Sequence, residues 1–433
     1  MRVLTSILTF VVSFPLVAQT VIFRDANVIA MTSPQVAEKK TVVVRDGKIE
    51  SILDKAPAEL PKDATVVDAT GKFLMPGLAE MHGHIPPPNA PNGMLDDVLF
   101  MYLANGITTV RGMLGHDGQT NLREYQKKGQ IVSPNLYVAG PSLNGKSVDS
   151  PAKAAELVRA QKKEGWDLIK IHPGLTREEY EAAAKTAREE GMRFAGHVPE
   201  AVGLLRAIEL GQETFDHMDG YLEYVGGDKG PIDQKKLADA IKRSKAAGVW
   251  VVPTSALWQV LFNYIPLETL RSYSELRYVP ARAVEGWSRT YRARAEELSE
   301  KQVKTTIENR QLLLRALHEG GVKILMGTDA PQQFSIPGFS LHRELQVMRD
   351  AGMSPYDILK SGTVNVGEYF KKQDSFGTIE PGRRADIVLL NANPLEDIAN
   401  TSKVEGVMVR GRWFSRADID TRLGKIRAKY PRD

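Results

Sequence analysis

The 433-residue chain has no cysteine. That excludes disulfides, thiolate metal ligands, a cysteine nucleophile and a lipid-modified cysteine anchor. It also has no G-x-S-x-G elbow, so a serine hydrolase of that type is excluded. Charge of one sign is scarce: 57 Lys and Arg against 53 Asp and Glu leave a net +4, with no basic block of the kind that tracks nucleic acid. Long apolar runs are absent except at the start. There, "MRVLTSILTFVVSFPLVAQT" carries Arg2, an apolar stretch and Ala18. It reads as a signal peptide over residues 1–18, too short for a membrane span, with an uncleaved anchor as the second reading. A periplasmic or secreted location follows from the first. Histidine is also rare, with only eight residues, so its placement carries information.

Both ends of the chain read as β-structure. "TVIFRDANVIA", "KTVVVRDGKIESIL" and "ATVVDATGKFLMPG" alternate apolar and polar residues between Asp-Gly and Thr-Gly turns. "GTIEPGRRADIVLLNANP" and "VEGVMVRGRWFSR" repeat the style. A small β-sandwich domain built from residues 19–75 and 376–433 is expected. Between them, residues 76–375 alternate eight apolar strand-like runs with helical stretches, the pattern of a (β/α)8 TIM barrel in the α/β class. One helix is expected to start at a Thr176 cap and end at Gly191. Residues 257–320 form a longer connection, expected to contain one long amphipathic helix from "RTYRARAEEL" to "RALHEGG". Trp258, Phe262 and Tyr264 within it are candidates for a partial lid.

In such a barrel, reactive groups come from the C-terminal strand ends. His82 and His84 stand one residue apart, so on a strand they face the same way. Lys170 ends the fourth strand, His197 the fifth, His217 the sixth and Asp329 the eighth. Any one of these alone reads as a core histidine, an inward lysine or a helix cap. Together, four histidines and an aspartate suit a borderline cation such as Zn²⁺.

These segments also resemble the metal-dependent amidohydrolase superfamily, in its imidazolonepropionase-like and prolidase-like branch. "PGLAEMHGH" resembles its His-x-His strand, "GHVPEAVGLLRAIELGQETFDH" its fifth-to-sixth strand spacing, "MGTDAP" its eighth-strand aspartate, and "GTIEPGRRADIVLLNANPLEDI" its return to the small domain. The likeness covers nearly all of residues 20–415. It implies two divalent metal ions, most simply Zn²⁺. His82 and His84 would hold the more buried ion and His197 and His217 the second. Lys170 would bridge them as a CO₂-derived carbamate. Asp329 would bind metal and act as the catalytic proton shuttle for an ionised bridging water. The implied activity is hydrolysis of C–N amide bonds in small peptides or N-acyl amino acids. A cyclic amide, lactone or phosphotriester substrate is the alternative, and a non-catalytic barrel binding protein a third reading.

Three residues are candidates for substrate contact. His172 lies two places after Lys170 on the same side of the strand, where it either faces the cleft or caps the strand without chemistry. Arg111 either pairs with a substrate carboxylate or holds a barrel ion pair, and Gly112 stands where relatives often carry aspartate. Tyr221, with Tyr224, either lines the pocket or packs in the loop. His342 is expected at a structural or pocket-rim position, and His116 and His318 outside the site. No nucleic-acid partner and no stable membrane insertion after signal cleavage are expected. Barrels with long exposed helices often pair, so a homo-oligomer is one expected state, and the sequence leaves the oligomeric state open.

Overall fold

The computed structural model describes residues 20–431 apart from 58, 298, 372 and 373. The expected signal peptide lies outside the described residues. Among those described, no helix is long and apolar enough to cross a membrane.

The two chain ends build one sheet. Its strands run in the order Arg412–Ser415, Val404–Val409, Ile387–Leu390, Phe73–Pro76, Val21–Val28, Ala37–Arg45 and Lys48–Leu53, with Thr65–Asp68 beside Val21–Val28. The ends meet where Phe73–Pro76 pairs antiparallel with Ile387–Leu390, Met75 opposite Val388. The apolar positions of the alternating strands converge on one buried cluster that includes Val21, Phe23, Val42, Leu74, Ile387 and Met408. The hydrogen-bonded network is a single eight-stranded sheet.

Eight parallel strands follow: Leu78–Gly83, Ile107–Gly112, Asn135–Val138, Leu168–Ile171, Arg193–Gly196, Thr214–Asp216, Trp250–Val252 and Lys323–Ile324. They are numbered first to eighth below. The first three form one sheet and the last five another. Most of their residues are buried on both faces, as strands sandwiched between helices and a packed interior must be. Backbone hydrogen bonds cross both seams. Leu143 N–H donates to Lys170 O at 2.9 Å between the third and fourth strands. Met81 N–H donates to Met326 O at 2.9 Å, and Asp329 N–H to His82 O at 2.7 Å, between the eighth and the first. The arrangement is consistent with the expected barrel.

The helices follow local rules. Arg177–Glu189 begins at Thr176 in a capping box with Glu179, as expected, and Gly191 turns the chain away at φ 62°. A shorter helix covers Leu204–Glu209. The single long helix expected after residue 288 is two: Ala281–Ala295 and Glu300–Glu319. The break is set by Ser299, whose hydroxyl accepts from Gln302 N–H and starts a new helix.

A buried ion-pair network joins the sheet to the strands. Arg384 donates through Nε to Asp386 at 2.6 Å, pairs with Asp374, and reaches Thr109. Asp386 also accepts from Asn135 at 2.9 Å and from Arg410 N–H at 2.9 Å. Removing one member of such a pair leaves an uncompensated buried charge. Asp386→Ala should therefore cost about 3–5 kcal/mol of stability. A urea melt checks this, and an unchanged midpoint would show that the network does not couple the two sheets.

Candidate metal centre

The strand ends bring six side chains to one place. His82 and His217 are almost fully buried, Lys170 is inaccessible, and Asp329, His197 and His84 are progressively nearer solvent. Candidate ligand atoms of His82, His217 and Asp329 lie within 4.8 Å of one another. Asp329 Oδ1 is 2.6 Å from His84 Nε2 and 3.7 Å from His82 Nε2. Lys170 Nζ is 3.2 Å from His82 Nε2. The His197 ring stands 4.4 Å from that of His217 and 6.5 Å from that of His82. All six predicted donors are therefore brought together.

Backbone geometry makes the approach. Gly196, just before His197, has φ +124°, and a Cβ there would lie 2.9 Å from Lys170 Cδ and 2.5 Å from Ile171 O. Gly327 leaves room for His82 N, which an added Cβ would meet at 2.8 Å. His217, Met218, Thr254 and Asp329 adopt positive φ of 64°, 57°, 46° and 65°. Each such residue costs on the order of 1–3 kcal/mol, and this kind of strain gathers at functional sites.

Burial sets the protonation states. Desolvation, reinforced by neighbouring Lys170 and the other imidazoles, holds His82 and His217 well below the ordinary 6.5. Burial and Lys170 push His172 down to about 3. Burial also brings Lys170 down to about 8, although Asp216 and Asp329 oppose it. At neutral pH His82, His172 and His217 therefore stay neutral, each with a ring lone pair. The buried Nε2 of His217 has no hydrogen-bond partner among the described residues, with Asp329 Oδ2 3.8 Å away. An unpartnered nitrogen facing other nitrogen and carboxylate donors fits a divalent cation.

An outer layer of groups was not foreseen. Asp216 is inaccessible, and its Oδ2 lies 2.8 Å from His82 Nδ1. Asp219 Oδ2 lies 2.6 Å from His197 Nδ1. Glu80 accepts from His82 N–H at 3.0 Å, from Thr328 N–H at 2.8 Å and from the Thr328 hydroxyl at 2.5 Å. It thereby ties the first strand to the turn bearing Asp329, and burial pushes it up to about 8. The sequence held a signal for three of these: "DHMDG" flanks His217 with both aspartates, and Glu80 is a charge inside an apolar strand run.

Two of the candidate substrate contacts have the second of their two readings in this structure. Arg111 is inaccessible and consumed by partners between the strands. It donates to Met81 O at 2.6 Å, to Thr214 and Tyr369 hydroxyls at 3.1 Å each, and to Asp216 at 3.2 Å. Its ion pair, not a substrate carboxylate, explains it. Tyr221 is equally inaccessible, its hydroxyl 2.6 Å from Ser244 Oγ and its ring packed on Phe215. Tyr224 donates to Asp239. His172 is half-buried, its ring 4.9 Å from that of His197, and keeps its place beside the site. Trp258 stacks on Phe262 and sits 6.2 Å from the His217 ring, whereas Tyr264 is exposed. His342 is structural: it is buried, with Nδ1 3.0 Å from Thr401 Oγ1.

A mixed α/β fold thus gathers histidines, a lysine and an aspartate at parallel-strand ends, three of them close enough to form a candidate metal site. The family model described as "Amidohydrolase family" matches residues 73–414, and the chain belongs to that family. It is 22% identical over 447 residues to an adenine deaminase of Ruegeria sp. (strain TM1040), covering 96% of this chain and 59% of that protein. It is 22% identical over 431 residues to an imidazolonepropionase of Streptococcus sanguinis (strain SK36), covering 84% and 87%. A solved Xaa-Pro dipeptidase with bound methionine superposes with a TM-score of 0.69 at 21% identity, covering 92% of this chain and all of that one. The chain thus spans about three fifths of the adenine deaminase it matches.

Two outcomes follow from the buried charges. In chelator-treated protein, the unfolded chain takes up protons at its histidines below about pH 6.5 while the folded site resists them. Stability should be full above that value and fall as pH drops from about 6.5 toward 4, which melting temperatures across that range will show. Arg111→Met should cost about 3–5 kcal/mol by stranding Asp216. Full stability with a raised KM would instead return Arg111 to the substrate.

Proposed function

We propose that the protein is an exported, metal-dependent amidohydrolase that cleaves C–N amide bonds of small peptides or N-acyl amino acids. The observation that carries this reading is the convergence of His82, His84, Lys170, His197, His217 and Asp329, with the buried imidazoles held neutral. The hydrogen bonds across both seams support a closed (β/α)8 barrel. The two-ended sheet supports a small second domain formed by residues 19–75 and 376–433. Export rests on the apolar opening stretch alone.

The residues fit two divalent ions, with His82, His84 and Asp329 toward one and His197 and His217 toward the other. Such ions, when bound, supply Lewis acidity and a water ionised near neutral pH. Zn²⁺ suits the nitrogen and oxygen donor set. Lys170 is suited to carbamate formation because only a neutral amine attacks CO₂, and burial makes the neutral form accessible near pH 8. The carbamate would turn a cation that repels metal into an anionic two-oxygen bridge. Asp329, 12% exposed at the open edge of the cluster, is placed to take a proton from the attacking water and return it to the leaving amine. His172 stands next to His197 where a substrate carbonyl or its tetrahedral form would pass.

Elemental analysis of the purified protein should find two divalent metal equivalents per chain. Fewer than one would overturn the dinuclear reading. Lys170→Ala should lose one equivalent and most turnover. Asp329→Asn should retain part of the metal but slow hydrolysis by about 10²–10⁴-fold. Dipeptides, N-acyl amino acids, lactones and phosphotriesters assayed side by side will identify the substrate class. Turnover confined to the last two would displace the amide assignment, and turnover of none would favour a binding protein.

A further inference from the structure

The seventh strand contributes none of the six converging donors, yet the residue just beyond it reaches the site. Thr254 Oγ1 lies 2.8 Å from His217 Nδ1, and both side chains are buried. Thr254 sits at φ 46°, a region that a β-branched residue scarcely visits. Its neighbours hold it there. Glu344, from the helix Phe339–Asp350, accepts from Ser255 N–H at 2.9 Å and from Ala256 N–H at 2.6 Å. These are the first two residues of the helix Ser255–Leu261, so the carboxylate anchors its opening turn directly after Thr254. Arg310, from the long helix Glu300–Glu319, donates to His217 O at 2.7 Å and to Pro253 O at 3.3 Å. One guanidinium thus clamps the backbones of the sixth and seventh strand ends together. Its face covers the Trp258 ring at 4.5 Å.

From this geometry we infer that Thr254 is a positioning residue that accepts from Nδ1–H of His217 and so holds the ring with Nε2 turned toward the other donors, free to bind a cation. The inference rests on the metal-site reading above. It follows from a comparison within the cluster. His197 faces a carboxylate at Nδ1, Asp219 at 2.6 Å. An ionised carboxylate only accepts, so it dictates a proton on Nδ1 and a lone pair on Nε2. His217 has a hydroxyl instead, which can donate or accept. The choice is made at the other nitrogen. A proton on Nε2 would be a buried donor with no acceptor in reach, since the nearest carboxylate oxygen is 3.8 Å away. A lone pair there is satisfied by a cation. Arg310 and Glu344 act one step further out, by holding the backbones that set the Thr254–His217 distance.

Two measurements test this. The first is ring ¹⁵N NMR of chelator-treated, histidine-labelled protein near neutral pH, with the His217 signals assigned by their loss in His217→Gln. A proton on Nδ1 is expected, and a proton on Nε2 overturns the inference. The second is Zn²⁺ titration against a competing chelator. Thr254→Val keeps the shape but removes the hydroxyl, and should weaken one metal equivalent by about 10–100-fold. Thr254→Ser should restore binding to within about threefold of wild type, while the melting temperature of the metal-free proteins stays within a few degrees. A valine variant that binds both equivalents as tightly as wild type sinks the proposal. Should the valine variant fail to fold, the tautomer in the wild-type protein still decides. A wild-type protein that takes up no Zn²⁺ would defeat the metal reading, and the ring tautomer would then report on Thr254 separately.

Discussion

The site depends on one buried anion. Asp216 has no access to solvent, and a lone carboxylate in that position would not stay ionised. Burial pushes its pKa upward, yet Arg111, Lys170 and His217 together draw it below the ordinary carboxylate value. It therefore keeps its charge and serves three strands at once. It answers the guanidinium of the second strand, receives the Thr214 hydroxyl on its own strand, and faces Nδ1 of His82 on the first. Lys170 of the fourth strand stands 3.9 Å away. Arg111 is best understood from this side. It is the counter-charge that lets a carboxylate live under a cluster of bases.

Around that anion the molecule accepts local costs. Four non-glycine residues at the cluster hold positive φ, and two glycines permit backbone approaches that any side chain would block. Such conformations persist only when their surroundings over-determine them. Here the surroundings are visible: Glu80 pins the Thr328–Asp329 turn, Glu344 pins the turn at Thr254, and Arg310 bridges two strand ends. The long connection after the seventh strand consequently takes part in holding the site. Its final helix supplies the arginine that braces a candidate ligand loop.

Membership of the amidohydrolase family rests on a match over residues 73–414, and the relatives the chain matches bear names as different as adenine deaminase and imidazolonepropionase. A fold of this type hosts different substrates through its loops while the strand ends stay fixed. Around the cluster of this chain stand His172, the Trp258–Phe262 stack and the half-buried Asp219.

The sequence by itself determined which residues gather. Parallel strands with short helical crossovers place strand ends on one rim, so a histidine, lysine or aspartate at each end is legible from spacing alone. The Thr176 cap and the alternating strands of the chain ends were legible for the same reason, since they depend on residues a few positions apart. Tertiary structure decided the rest. Whether Arg111 and Tyr221 face substrate or core depends on Asp216 and Ser244, which lie 105 and 23 residues away in the chain. Thr254 reads locally as a helix cap and becomes a partner of His217 only because two strand ends are clamped together. Local periodicity fixes the side of a strand on which a side chain lies. What that side chain meets there is set by contacts between distant segments, and those exist only once the whole chain has packed.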